Sequence, residues 1–410
     1  MMKHIIFDCD NTMGMEGRPM DDALALLYLL GSPEEARVLG VCCNCGNGTS
    51  AEVYDCCRRL LEETGFTHLP LFRGAEAGED PRCDSARFIV QAVNEHPGEV
   101  SYLGIGSLTN LYGAYLLDSG IFDKLADIVL MGGITQPLHI HGKALAELNF
   151  SVNSIASACV LEKGKNITVI TGNNCLPVAY LPKDEFMPNM CYTDNPAGMY
   201  IAQKCGYRFE DKKVLYGADG SYCWDAVAAA YLIKPELFED HFTPCHIRRE
   251  SLESGFLAPG VQGNCVLNLP CAKDKAEFQN ELYRGWLALK LDNSFACKGS
   301  FLDKLLQPAI LIELSKSPRH GFQLQQDLKA NGLIDGDNLD PAGMYRTLKR
   351  MEKAGYLSSG WDRSQAKARR VFAITEFGQY SLNNWNISLR RYRDHIDELL
   401  DAMAELETKK

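Results

Sequence analysis

Ile5-Ile6-Phe7-Asp8-Cys9-Asp10-Asn11-Thr12, followed after a short interval by Asp21-Asp22-Ala23-Leu24-Ala25-Leu26-Leu27, opens this 410-residue chain. The first apolar run has the length and composition of a buried strand, and the second reads as a helix. Around them stand four carboxylates, Asp8, Asp10, Asp21 and Asp22. Carboxylates crowded at the carboxyl end of a strand repel one another unless a cation sits between them. Oxygen ligands favour a hard divalent ion, calcium or magnesium, over zinc.

Strand and helix patterns go on alternating for about the first 295 residues. Strand-like runs include Val38–Cys42, Val100–Ile105, Ile128–Met131 and Ile167–Thr171; helices between them include Ala51–Thr64, Cys83–Glu95 and Ser154–Glu162. Such alternation predicts an α/β fold, a mostly parallel sheet flanked by helices, with ligands beyond the carboxyl ends of the strands. Near Asp292 to Ser300 the pattern breaks into a polar stretch. The expected division is a domain over 1–297, a linker at 298–302 and a second domain over 303–410.

Composition agrees with two soluble domains. Hydrophobic residues make up 46% and charged ones 23%, enough apolar content for a core. No apolar run approaches the length of a membrane span, and Met1-Met2-Lys3-His4 leads straight into a strand rather than a secretory signal. A cytoplasmic, membrane-free protein is expected. All sixteen cysteines lie between Cys9 and Cys297, which marks a boundary, and in a cytosolic chain they should be reduced. Cys42-Cys43-Asn44-Cys45 and Cys56-Cys57 have no second pair at ligand spacing and read as small buried hydrophobes. Residues 301–410 hold 17 Lys+Arg against 15 Asp+Glu, leaving 25 against 38 for the first 300. The front is acidic, and only the tail is a candidate for nucleic acid.

Further segments follow in order: Gly46-Asn47, Arg73-Gly74-Ala75, Gly106-Ser107-Leu108-Thr109-Asn110-Leu111, Leu130-Met131-Gly132-Gly133, Ala146-Glu147-Leu148-Asn149-Phe150 and Trp224-Asp225. With Asp10 and Asp21-Asp22, the ordered set resembles the nucleoside hydrolase family over residues 3–290. The resemblance implies calcium held by Asp10, Asp22, Asp225 and the Thr109 carbonyl. It makes Asp10 the base that deprotonates water, and leaves Asp8 behind the ligands. It also implies that Asp21, Asn47, Glu147 and Asn149 grip the ribose hydroxyls, with Met131 lining the sugar. Hydrolysis of an N-glycosidic bond passes through an oxocarbenium-like ribose, and a cation beside a carboxylate supplies the activated water.

Trp224 stands where many members have a histidine, and resembles the purine-preferring subgroup, in which the indole stacks on the base and takes part in departure of the leaving group. A core role beside the helix Ala226–Leu232 is the plain alternative. Two departures from the family stand out. Ten residues, Asn11 to Met20, separate Asp10 from Asp21 where the family has about three. His141, in a loop with His139, replaces an asparagine that grips the 5′ end of the sugar. Read alone, Phe7 to Thr12 also resembles a haloacid-dehalogenase-type phosphatase, with Asp8 as phosphoryl acceptor. That reading leaves the later segments unexplained.

In the tail, Ile310–Leu314, Pro318–Leu324, Gly343–Glu352, Ala354–Leu357 and Arg370–Gly378 resemble a PadR-type winged helix-turn-helix. Pro341 to Lys353 reads as a helix with Tyr345, Leu348 and Met351 inward and Arg346, Lys349, Arg350 and Lys353 outward. A hairpin follows, with Arg363, Lys367, Arg369 and Arg370 at its tip. Helix in the major groove and wing on the phosphates is the implied dock on double-stranded DNA. Leu382, Trp385, Leu389, Tyr392, Ile396, Leu399, Met403 and Leu406 form a heptad seam that predicts a long C-terminal helix pairing two chains into a homodimer. Two functions stay open: a calcium-dependent hydrolase of ribonucleosides, purine ones foremost, that carries a DNA-binding domain, or a transcription regulator that senses a nucleoside with little turnover.

Overall fold

The computed structural model describes residues 2–407 apart from 16, 192–194, 218, 292–304, 334–340 and 363–368. The expected linker at 298–302 lies outside the described residues. Two compact units emerge: Met1–Phe186 with Arg208–Asp292, and Met187–Tyr207 with Asn293–Lys410.

In the first unit the opening apolar run forms β1 (Lys3–Cys9), with Ile5, Ile6 and Phe7 fully buried. Helix α1 (Asp21–Leu30) follows, and β2 (Ala36–Cys43) lies parallel to β1. Next come α2 (Ser50–Thr64), β3 (Leu71–Arg73), α3 (Asp84–Glu95), β4 (Val100–Gly104), α4 (Thr109–Leu117) and β5 (Asp127–Met131). A short antiparallel ribbon, β6 (Leu138–Ile140) with β7 (Lys143–Leu145), precedes β8 (Ile167–Ile170). Another ribbon pairs β9 (Tyr180–Pro182) with β10 (Gly220–Tyr222). Finally β11 (Phe238–Glu239) pairs with β14 (Cys271–Ala272), and β12 (Phe242–Cys245) pairs with β13 (Cys265–Asn268).

The main sheet has eight strands in the order β12-β13-β8-β5-β4-β1-β2-β3. All its pairs are parallel except the β12–β13 edge. Buried strands of this kind read as near-continuous apolar runs, as β1, β4 and β8 do. Helical residues such as Ile89, Leu111 and Val160 close over Ile6, Tyr102, Leu130 and Val169 in one core. Chain order around β1 matters most for function. The carboxyl ends of β1, β2, β4 and β5 lie side by side, so Asp10, Asn47, Thr109 and Met131 issue from one edge. Cys42, Cys43, Cys45, Cys56 and Cys57 are buried, as expected of small hydrophobes, and none of the described cysteines is disulfide-bonded.

The second unit contains a winged-helix arrangement. Helices Leu306–Lys316, Gly321–Ala330 and Pro341–Lys353 pack through Ile310, Leu314, Leu324, Leu328, Leu348 and Met351. A three-stranded sheet joins β15 (Arg319–His320), β17 (Arg369–Ile374) and β16 (Leu357–Asp362) in that order. Tyr345, expected inward, is 43% exposed, and Met344 fills the core instead at 1%. Spacing of four and then three carries Met344, Leu348 and Met351 onto one face. The last helix runs Glu376–Glu407. Its Leu382 and Trp385 pack on the unit's own core, whereas Ile396 is 38% exposed. The seam side chains at 392, 399, 403 and 406 lie outside the described ones. Among the described residues no helix is long and apolar enough to cross a membrane.

Candidate active site: a buried carboxylate cluster

Asp10 follows β1 directly, while Asp21 and Asp22 form the first turn of α1. The backbone N–H of Asp10 donates to Asp22 Oδ1 at 2.9 Å, which ties the two ends of the ten-residue loop together. The loop is internally stapled. Thr12 Oγ1 donates to the Pro19 carbonyl at 2.8 Å, and Met13 N–H to Asn11 Oδ1 at 2.9 Å. Met13 and Met20 are buried, and Arg18 donates to the Asn47 carbonyl. A long insertion so fastened leaves Asp22 beside Asp10, consistent with the slow growth of loop-closure cost with length.

Asp225, second residue of the helix Trp224–Ile233, completes the group from far along the chain. Carboxylate oxygens of Asp21, Asp22 and Asp225 lie within 4.8 Å of one another. Asp21, expected on the sugar, thus shares the space of the expected metal ligands. Asp10 Oδ1 and Asp22 Oδ2 are buried with no hydrogen-bond partner. Orphaned buried oxygens are rare in folded proteins, and a cation is a standard reason for them. Burial, against the pull of the Asn47 N–H, pushes Asp10 up to about 6. Asp22 and Asp225 rise well above the usual carboxylate range, through burial first and neighbouring charge second. An all-oxygen donor set with excess negative charge fits a hard divalent ion.

Surrounding elements hold these groups in place. Asn47 N–H donates to Asp10 Oδ2 at 2.6 Å. A Cβ on Gly46 would sit 2.1 Å from that same oxygen, so any side chain there would push the Asp10 carboxylate out of place. Thr49 and Glu52 then cap α2 reciprocally and fix the exit of this turn. Asp8 is fully buried and accepts from Tyr102 Oη at 2.6 Å, Asn44 Nδ2 at 2.7 Å and Asn110 Nδ2 at 3.0 Å. Burial outweighs these three donors and pushes Asp8 up to about 7. Asn44 Oδ1 accepts the Ser107 N–H at 3.1 Å, linking Asp8 to the segment that bears Thr109. The Thr109 hydroxyl is held by Ser107 Oγ at 2.7 Å and Asn153 Nδ2 at 3.0 Å.

On the β5 side, Asn149 Nδ2 donates to the carbonyls of Met131 at 2.9 Å and Ile105 at 3.1 Å. Its donors are engaged, which turns Oδ1 into the useful end for a hydroxyl. Glu147 braces the turn that carries Asn149. It accepts the N–H groups of Phe150 at 2.8 Å, Ser151 at 3.0 Å and Gly133 at 3.1 Å. His141 forms the tip of the β6–β7 ribbon at φ 48°, exposed like His139. Trp224 is half-buried beside Asp225.

In the second unit Arg346, Lys349, Arg350 and Lys353 all lie exposed on the helix Pro341–Lys353. Arg369 meets His320 Nε2 at 2.9 Å. Arg370 is engaged by Glu352 at 2.7 Å and Ser359 at 2.7 Å, which draws its guanidinium toward the protein. Arg363 lies outside the described residues. Sequence reasoning missed the Asp8 donors Asn44 and Tyr102. It missed Tyr222, stacked behind Trp224, as well. No motif announces these three.

Residues 5–277 match the family model for inosine-uridine preferring nucleoside hydrolases, and residues 310–384 that of the transcriptional regulator PadR-like family. Uridine nucleosidase 1 of Arabidopsis thaliana is 27% identical over 275 residues, covering 60% of this chain and 77% of the relative. The pyrimidine-specific ribonucleoside hydrolase RihA of Salmonella newport is 28% identical over 264 residues, covering 57% and 80%. Among solved structures, the purine-preferring ribonucleoside hydrolase from Gardnerella vaginalis superposes with a TM-score of 0.61 at 20% identity, covering 70% of this chain and 99% of that one. The plant nucleoside hydrolase PpNRh1 gives 0.60 at 20% identity over the same shares. At that identity the structures speak for the fold alone.

Proposed function

Since the chain belongs to the inosine-uridine preferring nucleoside hydrolase family and joins a ribonucleoside N-glycosyl hydrolase to a PadR-like domain, we propose that it cleaves purine ribonucleosides to base and ribose with calcium in the carboxylate cluster. The observation that carries the reading is the pair of orphaned buried oxygens, Asp10 Oδ1 and Asp22 Oδ2, beside Asp21 and Asp225. Asp10, Asp22, Asp225 and the Thr109 carbonyl would hold the ion. When bound, calcium lowers the pKa of water at the site.

The chain's own groups do the rest. Asp10 takes the proton of the attacking water, its Oδ2 steadied by the Asn47 N–H. Asn149 Oδ1, Asp21 and Asn47 orient the vicinal hydroxyls, and a sugar lacking the 2′-hydroxyl leaves such groups unpaired. Met131 lines the sugar. Glu147 acts mainly by bracing Asn149, with His141 near the 5′ end. Trp224 receives the base and steadies it as it leaves, since stacking on an aromatic face contributes roughly 1–3 kcal/mol. Purine preference rests on that indole; the uridine and pyrimidine enzymes among the relatives make it a matter for measurement.

The test is kcat/KM for inosine, adenosine, uridine and cytidine with calcium present. Higher values for the purines support the reading, and a pyrimidine preference overturns its specificity. A second reading, a nucleoside-sensing regulator dimerised through its last helix, is favoured by the PadR-like match and the exposed Arg346, Lys349 and Arg350. For it, DNA binding must change when nucleoside is added to a protein that does not turn it over.

A further inference from the structure

Trp224 is part of a row of rings. Its indole stacks on Tyr222 with centroids 5.1 Å apart and planes 15° from parallel. Tyr222 in turn meets Tyr180, its cross-strand partner in the β9–β10 ribbon, at 5.1 Å and 49°. The Lys275 ammonium lies 5.9 Å from the Tyr180 ring centre at the far end. This row is anchored from behind. Gln279 Nε2 donates to the Tyr180 carbonyl at 2.7 Å and the Val178 carbonyl at 3.1 Å. A Cβ on Gly220 would come within 2.6 Å of the Tyr180 ring, so that glycine lets the ring lie across β10. All three aromatic side chains are half-buried.

We propose that Tyr222 is the positioning residue of the Trp224 platform, and that this backing selects a bicyclic over a monocyclic base. The proposal rests on the reading that Trp224 receives the base. An unbacked indole at a helix start can turn about two side-chain torsions. A ring stacked in an offset, near-parallel arrangement on one side restrains the indole plane, so a base arriving on the other face need not order it. A purine overlaps more of a fixed indole than a pyrimidine does. Loss of the backing therefore weakens purine binding more. Because Tyr222 acts through the indole, its loss weakens capture of the base first and, by a smaller factor, the steadying of the departing base.

Steady-state kinetics on inosine and uridine, with calcium, for Tyr222→Ala, Tyr222→Phe and Trp224→Ala test this. Tyr222→Ala should raise the inosine KM roughly five- to tenfold and lower the inosine kcat by a smaller factor, with the uridine KM within about twofold of the parent. Tyr222→Phe keeps the ring and should restore the parent inosine KM. Tyr222→Leu, which keeps bulk without an aromatic face, replaces Tyr222→Ala if that variant misfolds by circular dichroism, and carries the same expectation. An unchanged inosine KM in Tyr222→Ala, with a raised one in Trp224→Ala, overturns the positioning role and leaves the platform standing. Equal rises for inosine and uridine overturn the selectivity. An unchanged KM in Trp224→Ala overturns the platform itself.

Discussion

Asp8 lies within β1 and Asp10 just beyond its end, and their neighbours give them different work. Asp8 is closed in by three donors and serves as a knot between β1, β4, α4 and the turn after β2. Asn44 and Asn110 share Oδ1 while Tyr102 uses Oδ2, so Asp8→Asn can keep the two amide donors only by setting its NH2 against the Tyr102 hydroxyl. We expect a stability loss of about 1–3 kcal/mol in urea unfolding; no change would mean the knot is idle. Asp10 keeps one oxygen unpartnered and faces Asp22. Burial pushes its carboxyl up to about 6, above the ordinary carboxylate range, so between the two the native state binds more protons than the unfolded one. Stability of the calcium-free protein should therefore fall as pH rises through that window. Calcium, by favouring the ionised carboxylates, should raise the melting temperature more at pH 7.5 than at pH 5. A calcium increment independent of pH would contradict the assignment.

Elements were legible to differing depth. The α/β pattern could be read because buried parallel strands are continuous apolar runs, and Asp10 with Asp21-Asp22 could be read because carboxylates at a strand end are costly. What stayed hidden depends on contacts between distant residues. Nothing near Tyr102 or Asn44 points to Asp8, and Tyr222 looks like an ordinary strand residue until its ring meets Trp224. The Tyr345 error has a local cause, since Met344 and Tyr345 are adjacent and both apolar enough to face inward. The helix Pro341–Lys353 nonetheless presents Arg346, Lys349 and Arg350 outward. Changing Arg346 and Lys349 together to alanine should weaken binding to a DNA duplex by at least about tenfold in fluorescence anisotropy and flatten its salt dependence. Unaltered binding would remove this helix from the interface.

At the scale of the whole molecule, the acidic front holds the carboxylate cluster and the mildly basic tail holds the exposed cations. That separation of charge matches a division of labour between a hydrolase and a DNA-binding domain. The central claim is that the cluster uses its cation to hydrolyse ribonucleosides. Its most direct test is ribose release from inosine and uridine by the full chain, with calcium and with chelator, beside Asp10→Ala. The account predicts release with calcium, abolition by chelator with recovery on adding calcium back, and a loss of at least about a thousandfold in Asp10→Ala. Release that survives both the chelator and the substitution would contradict it.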